Sequence, residues 1–409
     1  RKLFCNFVGK FLEQEYPKGN PYEWDVVDGK PPATTPKKPL LELRYLGVGQ
    51  HVALEGTYKR IEEALTALRQ SVQPVGDMAS SPLEQAQGLK FSSDSNWLIG
   101  ADLTLIDTVT IKAIFNDPDL YGIYIALDGA KAKNFAGLRF EILYRKVTED
   151  IGVYSTELEL PYKVRYMQLG AVSLTLPTIG IDIYTNGNFK IDLGFPVSFN
   201  DFSRSASAEM SIFIGKGGFY FAYLNGDTSN RVPRIVNGTF SPVIEFGIAI
   251  AVGVGRTFKA GPLSAGVEVS VRGMLEGCFA WFNPIDNSPE DMFYWIKGQV
   301  AVLGRLYGTI DFVIIKASIF LEIYAGVIII IEAYKQIPLT LEARVRASIS
   351  IKILFVRIHK SFSMTFRQKF VIGSDRPTPW KIDTNGKQQV TMASMGPQAP
   401  MKRIAVRAS

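Results

Sequence analysis

From Trp97 onward apolar and polar residues alternate with a period of two, the signature of strands with one face toward a core. LIGADLTLI, YGIYIAL, LRFEILYRKV, VYSTELEL and AVSLTL read as short strands. In TIGIDIYTNGNFKIDLGF the pattern predicts a hairpin. A three-residue loop, Thr185, Asn186 and Gly187 with Gly187 left-handed, sets Ile183 against Phe189, Ile181 against Ile191 and Asp182 against Lys190. Farther on the runs lengthen. From Leu263 to Trp281 every odd position is apolar or Gly, and between Tyr294 and Ile314 the even positions are. The odd positions take over from Ile315 to Ala333 and again from Leu339 to Phe355, and the even ones dominate from Val356 to Phe370. Residues 339 to 372 contain no Gly, Pro, Asn or Asp. At about 3.3 Å per residue, the run from 339 to 355 spans roughly 56 Å.

The phase reversals near 314 and 355 fit either a hairpin or a bulge. A hairpin at the second would set Ile353 opposite Ile358 and Ile349 opposite Phe362. Its turn would be Phe355 and Val356, which resist positive φ, so a bulge or a bend between sheet faces is the expectation. Ahead of Trp97 the period changes. In TYKRIEEALTALRQ, Ile61, Ala64, Leu65 and Leu68 form one apolar stripe at helical spacing, with Thr57 placed to cap the start. GKPPATTPKKP at 29 to 39 reads as an extended linker and 73 to 96 as loop. The divisions expected are an N-terminal extension over 1–96, shorter strands over 97–260, long strands over 261–373 continuous with them, and a basic disordered tail over 374–409. The fold class is mainly β: elongated antiparallel sheets as a tall sandwich, flattened barrel or open trough, with a small α-containing extension.

An apolar face of this length needs a cover: a second sheet, the acyl chains of a ligand, or a membrane. A membrane barrel strand needs only about 9 to 11 residues and its apolar band is about 25 Å tall, so an outer-membrane or pore-forming barrel ranks last. If two walls stay partly open, small residues on the apolar phase make room for a hydrophobic chain. The candidate lining is Gly298, Gly304, Gly308, Ala317, Ile319, Leu321, Ala325, Ala347, Ile349 and Ile351. Gly and Ala also suit strands crossing closely in a closed sandwich.

Composition removes several classes. The 409 residues carry 45 Lys plus Arg against 39 Asp plus Glu, a net +6 spread too evenly for a nucleic-acid surface. Phe312 to Tyr334 is the most hydrophobic window, but Lys316, Glu322, Glu332 and its β-branched residues make it a strand rather than a transmembrane helix. Cys5 and Cys278 are isolated thiols, and His51 and His359 are the only histidines. No metal site, cofactor or catalytic residue is therefore assigned. Asp182 and Asp192 belong to a solvated hairpin face, and His359 points to solvent. FIGKGGFYF and AVGVGRTF lack the phosphate-loop ending and read as glycine bends or bulges. Asn237, Gly238 and Thr239 match a glycosylation acceptor.

The segments GLRFEILYRKVTEDIGVYSTELELP, LGAVSLTLPTIGIDIYTNGNFKIDLGFP, GGFYFAYL and SISIKILFVRIHKSFSMTF resemble an uncharacterised β-rich region of large bacterial proteins, over about residues 97 to 372. That resemblance implies a bacterial source and a place in a larger protein or assembly. With a chain that opens at Arg1, it favours a fragment or processed form. The functional expectation is a non-catalytic scaffold or binding element, soluble or peripheral, whose apolar interior holds lipid-like chains. A structural component of a large bacterial assembly, with protein partners, is the alternative.

Overall fold

A computed structural model describes residues 3–8, 41–71, 88–91, 96–105, 108–286, 289–312, 314–353 and 355–383. The Pro-rich segment, most of the loop expected before Trp97 and the last 26 residues lie outside them. The protein is mainly β, with antiparallel strands that do not close into a barrel. It divides into two compact units, residues 1–168 with 174–191 and residues 169–173 with 192–409. The division therefore falls elsewhere than at residues 96 and 260. The chain positions at which it falls are inside the short strands β10 (Tyr166–Leu169), β11 (Val172–Thr175) and β13 (Phe189–Leu193).

In the first unit, β1 (Leu3–Val8), β2 (Leu41–Gln50), β5 (Trp97–Leu105), β6 (Val109–Asn116), β7 (Leu120–Leu127), β8 (Leu138–Lys146), β9 (Gly152–Glu159) and β12 (Ile179–Tyr184) pair antiparallel, each with the next named. Residues 41–50, assigned by sequence to an extension, are thus inside the sheet. A small ribbon joins β3 (Val52–Leu54) to β4 (Leu89–Phe91). The predicted helix is present as α1 (Ile61–Ser71), and its stripe Ile61, Ala64, Leu65 and Leu68 is fully buried against Tyr45, Leu98, Ile114, Leu120 and Leu143. Glycine lets it lie close: a Cβ at Gly100 would come within 2.6 Å of Leu68 Cδ2, and one at Gly122 within 2.8 Å of Ile61 Cδ1.

Thr57 does not start the helix. The Ile61 N–H donates to Glu141 Oε2 on β8 at 3.4 Å, and Arg60 joins that carboxylate (2.8 Å) to Glu157 (2.7 Å). A capping oxygen 80 residues away supplies what a local side chain was expected to give. Burial pushes the Glu141 carboxyl up, and Arg60 opposes that. The loop at 185–187 is as expected: Tyr184 N–H donates to Asn188 O at 2.9 Å and Gly187 has φ +87°.

The second unit is a meander: β14 (Ala206–Met210), β15 (Phe213–Leu224), β16 (Gly238–Ala260), β17 (Leu263–Pro284), β18 (Asp291–Asp311), β19 (Ile315–Glu332), β20 (Ile337–Ile353) and β21 (Val356–Ile372), each antiparallel to its neighbour in sequence. Both phase reversals are hairpins rather than bulges. Asp311 pairs with Lys316, and Ile353 with Val356, so Ile351 faces Ile358 and Ala347 faces Phe362. The register differs by two residues from the one expected, because the connection falls at 354–355 and Val356 stays in the strand. Long strands also begin earlier than residue 261. At 23 residues β16 is about 76 Å long, and AVGVGRTF runs straight through it. FIGKGGFYF likewise forms the start of β15.

Residues 374–383 are not loose tail. Trp380 is 3 % exposed, with its ring 5.4 to 6.0 Å from those of Phe240, Phe282, Phe293 and Tyr334. Asn237 holds the segment in place: its Nδ2 donates to Pro379 O at 3.0 Å, and its Oδ1 accepts from Lys381 N at 2.6 Å.

Candidate functional site: an uncovered apolar sheet face

Strand register in the second unit aligns the apolar phase of β15 through β21 into transverse rows. One row is Val252, Val271, Val302, Ala325, Ala343 and Phe366; another is Phe258, Ala265, Gly308, Ile319, Ile349 and Lys360. All ten predicted lining residues fall on this face, on the adjacent strands β18, β19 and β20. Gly308 lies opposite Ile319, Ile319 opposite Ile349, Leu321 opposite Ala347 and Ala317 opposite Ile351. Gly304 faces Ile323, Ala325 faces Val302 and Gly298 faces Ile329.

These residues do not form an interior. Val252 is 56 % exposed, Val271 52 %, Val302 48 % and Ile323 52 %, and among the described residues no second sheet lies over them. A Cβ built at Gly304 would meet nothing within 4 Å, so that glycine marks a dip in an open surface rather than a close strand crossing. Two of the seven strands of the face, β15 and β16, were missed in the sequence. Phe246, Ile248, Ile250, Val252 and Val254 on β16, with Phe219 and Phe221 on β15, extend it across seven strands. The available signal was the alternation in IEFGIAIAVGV, where large residues alternate with Gly, Ala and Glu rather than with polar residues alone.

The polar phase, expected to face water, is the covered one. Glu245, Ser270, Arg272, Lys297, Gln299 and Glu322 are all buried. Phe195, Phe199 and Phe202 pack there with Ala249, Ala251, Met274, Ala301, Leu303 and Tyr324. Burial of charge is tolerated because the charges are paired across the strands. Glu268, Arg305, Glu322 and Arg346 lie directly opposite one another on β17 to β20. Arg305 is 2.9 Å from Glu322 and 3.9 Å from Glu268. Arg344 reaches Glu322 at 3.5 Å and Glu342 at 3.7 Å, and Glu342 meets Arg367 of β21 at 2.5 Å. Nearer the Trp380 end, Glu276 pairs with Arg231 (2.5 Å) and Lys297 (3.7 Å), and Ser229 donates to Glu245.

On this covered side a cleft of about 350 Å³ opens between residues 200–203 and the strands, lined by Lys216, Glu268, Ser270, Arg272 and Arg305 among others. Ser270 Oγ and Arg272 Nε are buried there without a hydrogen-bond partner. Desolvation lowers the Arg272 pKa, with Arg305 adding to the effect. The cleft has the polarity for a small anionic or hydroxylated group, and neither His nor Cys lines it.

Other sequence candidates stay apart from both surfaces or are committed to structure. His359 is exposed on β21. Cys278 is fully buried, and burial pushes its thiol up to about 12. The Asn237 amide is occupied by the Trp380 segment. Asp192 accepts from Phe195 N at 2.9 Å. The most hydrophobic window is strand β19, and no helix among the described residues is long and apolar enough to cross a membrane. Among the described residues no cluster of three His, Cys, Asp or Glu is placed to hold a metal ion. Comparison with family models, with curated proteins and with solved structures yields no match for the chain.

Proposed function

We propose that the second unit is a non-catalytic platform that binds hydrophobic chains, the acyl chains of lipids being the best chemical fit. The observation that carries this reading is the inversion of the sheet: its ion-paired face is covered, and its seven-strand apolar face is left to solvent. Apolar area in water is unfavourable by roughly 25 cal/mol per Å², so a surface this broad gains by acquiring a cover. Flexible acyl chains suit it, since Gly304 leaves a shallow dip between rows of Val and Ile.

Gentle purification followed by native mass spectrometry and lipid extraction tests the reading. Bound lipid is expected on the native protein, and its loss is expected when Val302→Asp and Ile323→Asp are combined with the strand content retained. Protein that carries no lipid and takes none up from detergent-solubilised phospholipid would overturn it. A second reading, a wall in a larger bacterial assembly, is favoured by β21, whose 17 residues are all exposed. Co-purified protein partners in place of lipid on the native chain would favour that alternative.

A further inference from the structure

The outer edge of the second unit has a chemistry separate from its apolar face. Among the described residues β21 pairs with β20 alone, and every one of its residues is exposed. It contains no Gly, Pro, Asp or Glu, and no bulge interrupts its register with β20. In a hairpin closed by two residues the flanking pair, Ile353 with Val356, exchanges the hydrogen bonds. The even residues of β21 therefore bond inward, while Arg357, Ser363 and Lys369 turn their N–H and C=O groups to the open edge.

Charge indicates what would fill that edge. From β17 to β20 acid and base alternate in directly opposed positions, Glu268, Arg305, Glu322 and Arg346. β21 breaks the alternation by offering cations only. Arg367 takes Glu342, but Lys352 faces Arg357, a like-charged pair, and among the described residues no carboxylate lies in ion-pair range of Arg357, Lys360 or Lys369. A second copy added edge to edge would set these cations against their own kind. The chain's own residues after Asp383 contain no Asp or Glu and are themselves basic.

We propose that β21 accepts an extended strand of another protein, one that alternates apolar residues with Asp or Glu and extends the sheet by backbone pairing. Its apolar residues would prolong the Phe362, Met364 and Phe366 side of the sheet, and its carboxylates would meet Arg357 and Lys369. This does not depend on lipid binding, which concerns the face and not the edge.

The test is fluorescence anisotropy of the intact protein with a labelled valine–glutamate alternating peptide as long as β21, against the same peptide carrying lysine for glutamate. The acidic peptide is expected to bind at least about tenfold more tightly, and the difference to shrink in high salt. Arg357→Glu with Lys369→Glu should reverse the preference. Ser363→Pro, which removes one outward N–H, should abolish binding of either peptide with strand content unchanged. Equal binding of both peptides, binding that survives the proline and charge variants, or a protein dimer that Ser363→Pro dissolves would each overturn the proposal. Should the proline variant not fold, the charge-reversal pair decides.

Discussion

The two units cover their sheets in different ways. In the first, an amphipathic helix lays Ile61, Leu65 and Leu68 over the strands, and the charged groups at its rim, Arg60 with Glu141 and Arg69 with Asp102, tie its ends to the sheet. In the second, irregular segments lie over an ion-paired face, and the apolar face is bare. The first buries its apolar residues under α1, whereas the second buries Phe199, Phe202 and Met274 beside ion pairs on one side and leaves large apolar side chains bare on the other. The contrast locates binding capacity where large apolar side chains have no partner within the chain.

The contrast can be broken most sharply at Glu322, which is 5 % exposed and within ion-pair range of Arg305, Arg344 and Arg346. Glu322→Ala should destabilise the second unit by about 3 kcal/mol in urea denaturation, because it removes the buried carboxylate that Arg305, Arg344 and Arg346 share. A loss below about 1 kcal/mol would mean that the ladder does not hold the sheet. Leu65→Ala should cost about 3 kcal/mol and act on the first unit alone, through the cavity it leaves under α1. Thermal melts should show only one unit weakened.

The Cys278 thiol gives a pH-dependent probe of the second unit. Its folded pKa is raised to about 12, so its contribution to stability is complete below the unfolded value of about 8.5 and is lost as pH rises toward the folded one. At pH 10 the loss amounts to about 2 kcal/mol, and Cys278→Ala should remove that dependence. Below pH 8 iodoacetamide should modify Cys278 slowly in native protein and rapidly in urea. The smallest effect belongs to the bare face: Val302→Ser or Ile323→Thr should change stability by only about 0.5 kcal/mol while weakening retention of a hydrophobic dye. A large loss at either position would show that the face is buried in the protein as it exists in solution.

The strands were legible because alternation is a local signal. Ile315 to Glu332 and Ile337 to Ile353 could be read almost to the residue. The helix stripe was legible for the same reason. Alternation defines two faces but does not say which is covered, because the cover comes from distant chain: the Phe202 ring lies against Arg272, which donates to Asn200 O, and nothing near Arg272 announces it. The same limit hid Glu141 at the start of α1 and Trp380 among the rings of β16, β17 and β18. β16 was misread because its glycines imitate turns. In the sheet they pack against neighbours: a Cβ at Gly247 would come within 2.4 Å of Tyr220, and one at Gly253 within 2.7 Å of Val269 O. The candidate lining shares one face by register, but its exposure could not be read, since periodicity carries no information about the layer above.

Hairpin tips near residues 212, 261, 313 and 354 lie at the end of the meander away from Trp380. There Phe258, Lys259, Thr309, Ile310, Lys316 and Ile353 are exposed on both sides of a single layer. With neither side supported, that end should fray first, opening and closing strand by strand while the ring-packed end stays shut. Amide deuteration should therefore advance as a gradient along each strand, fastest at the tips.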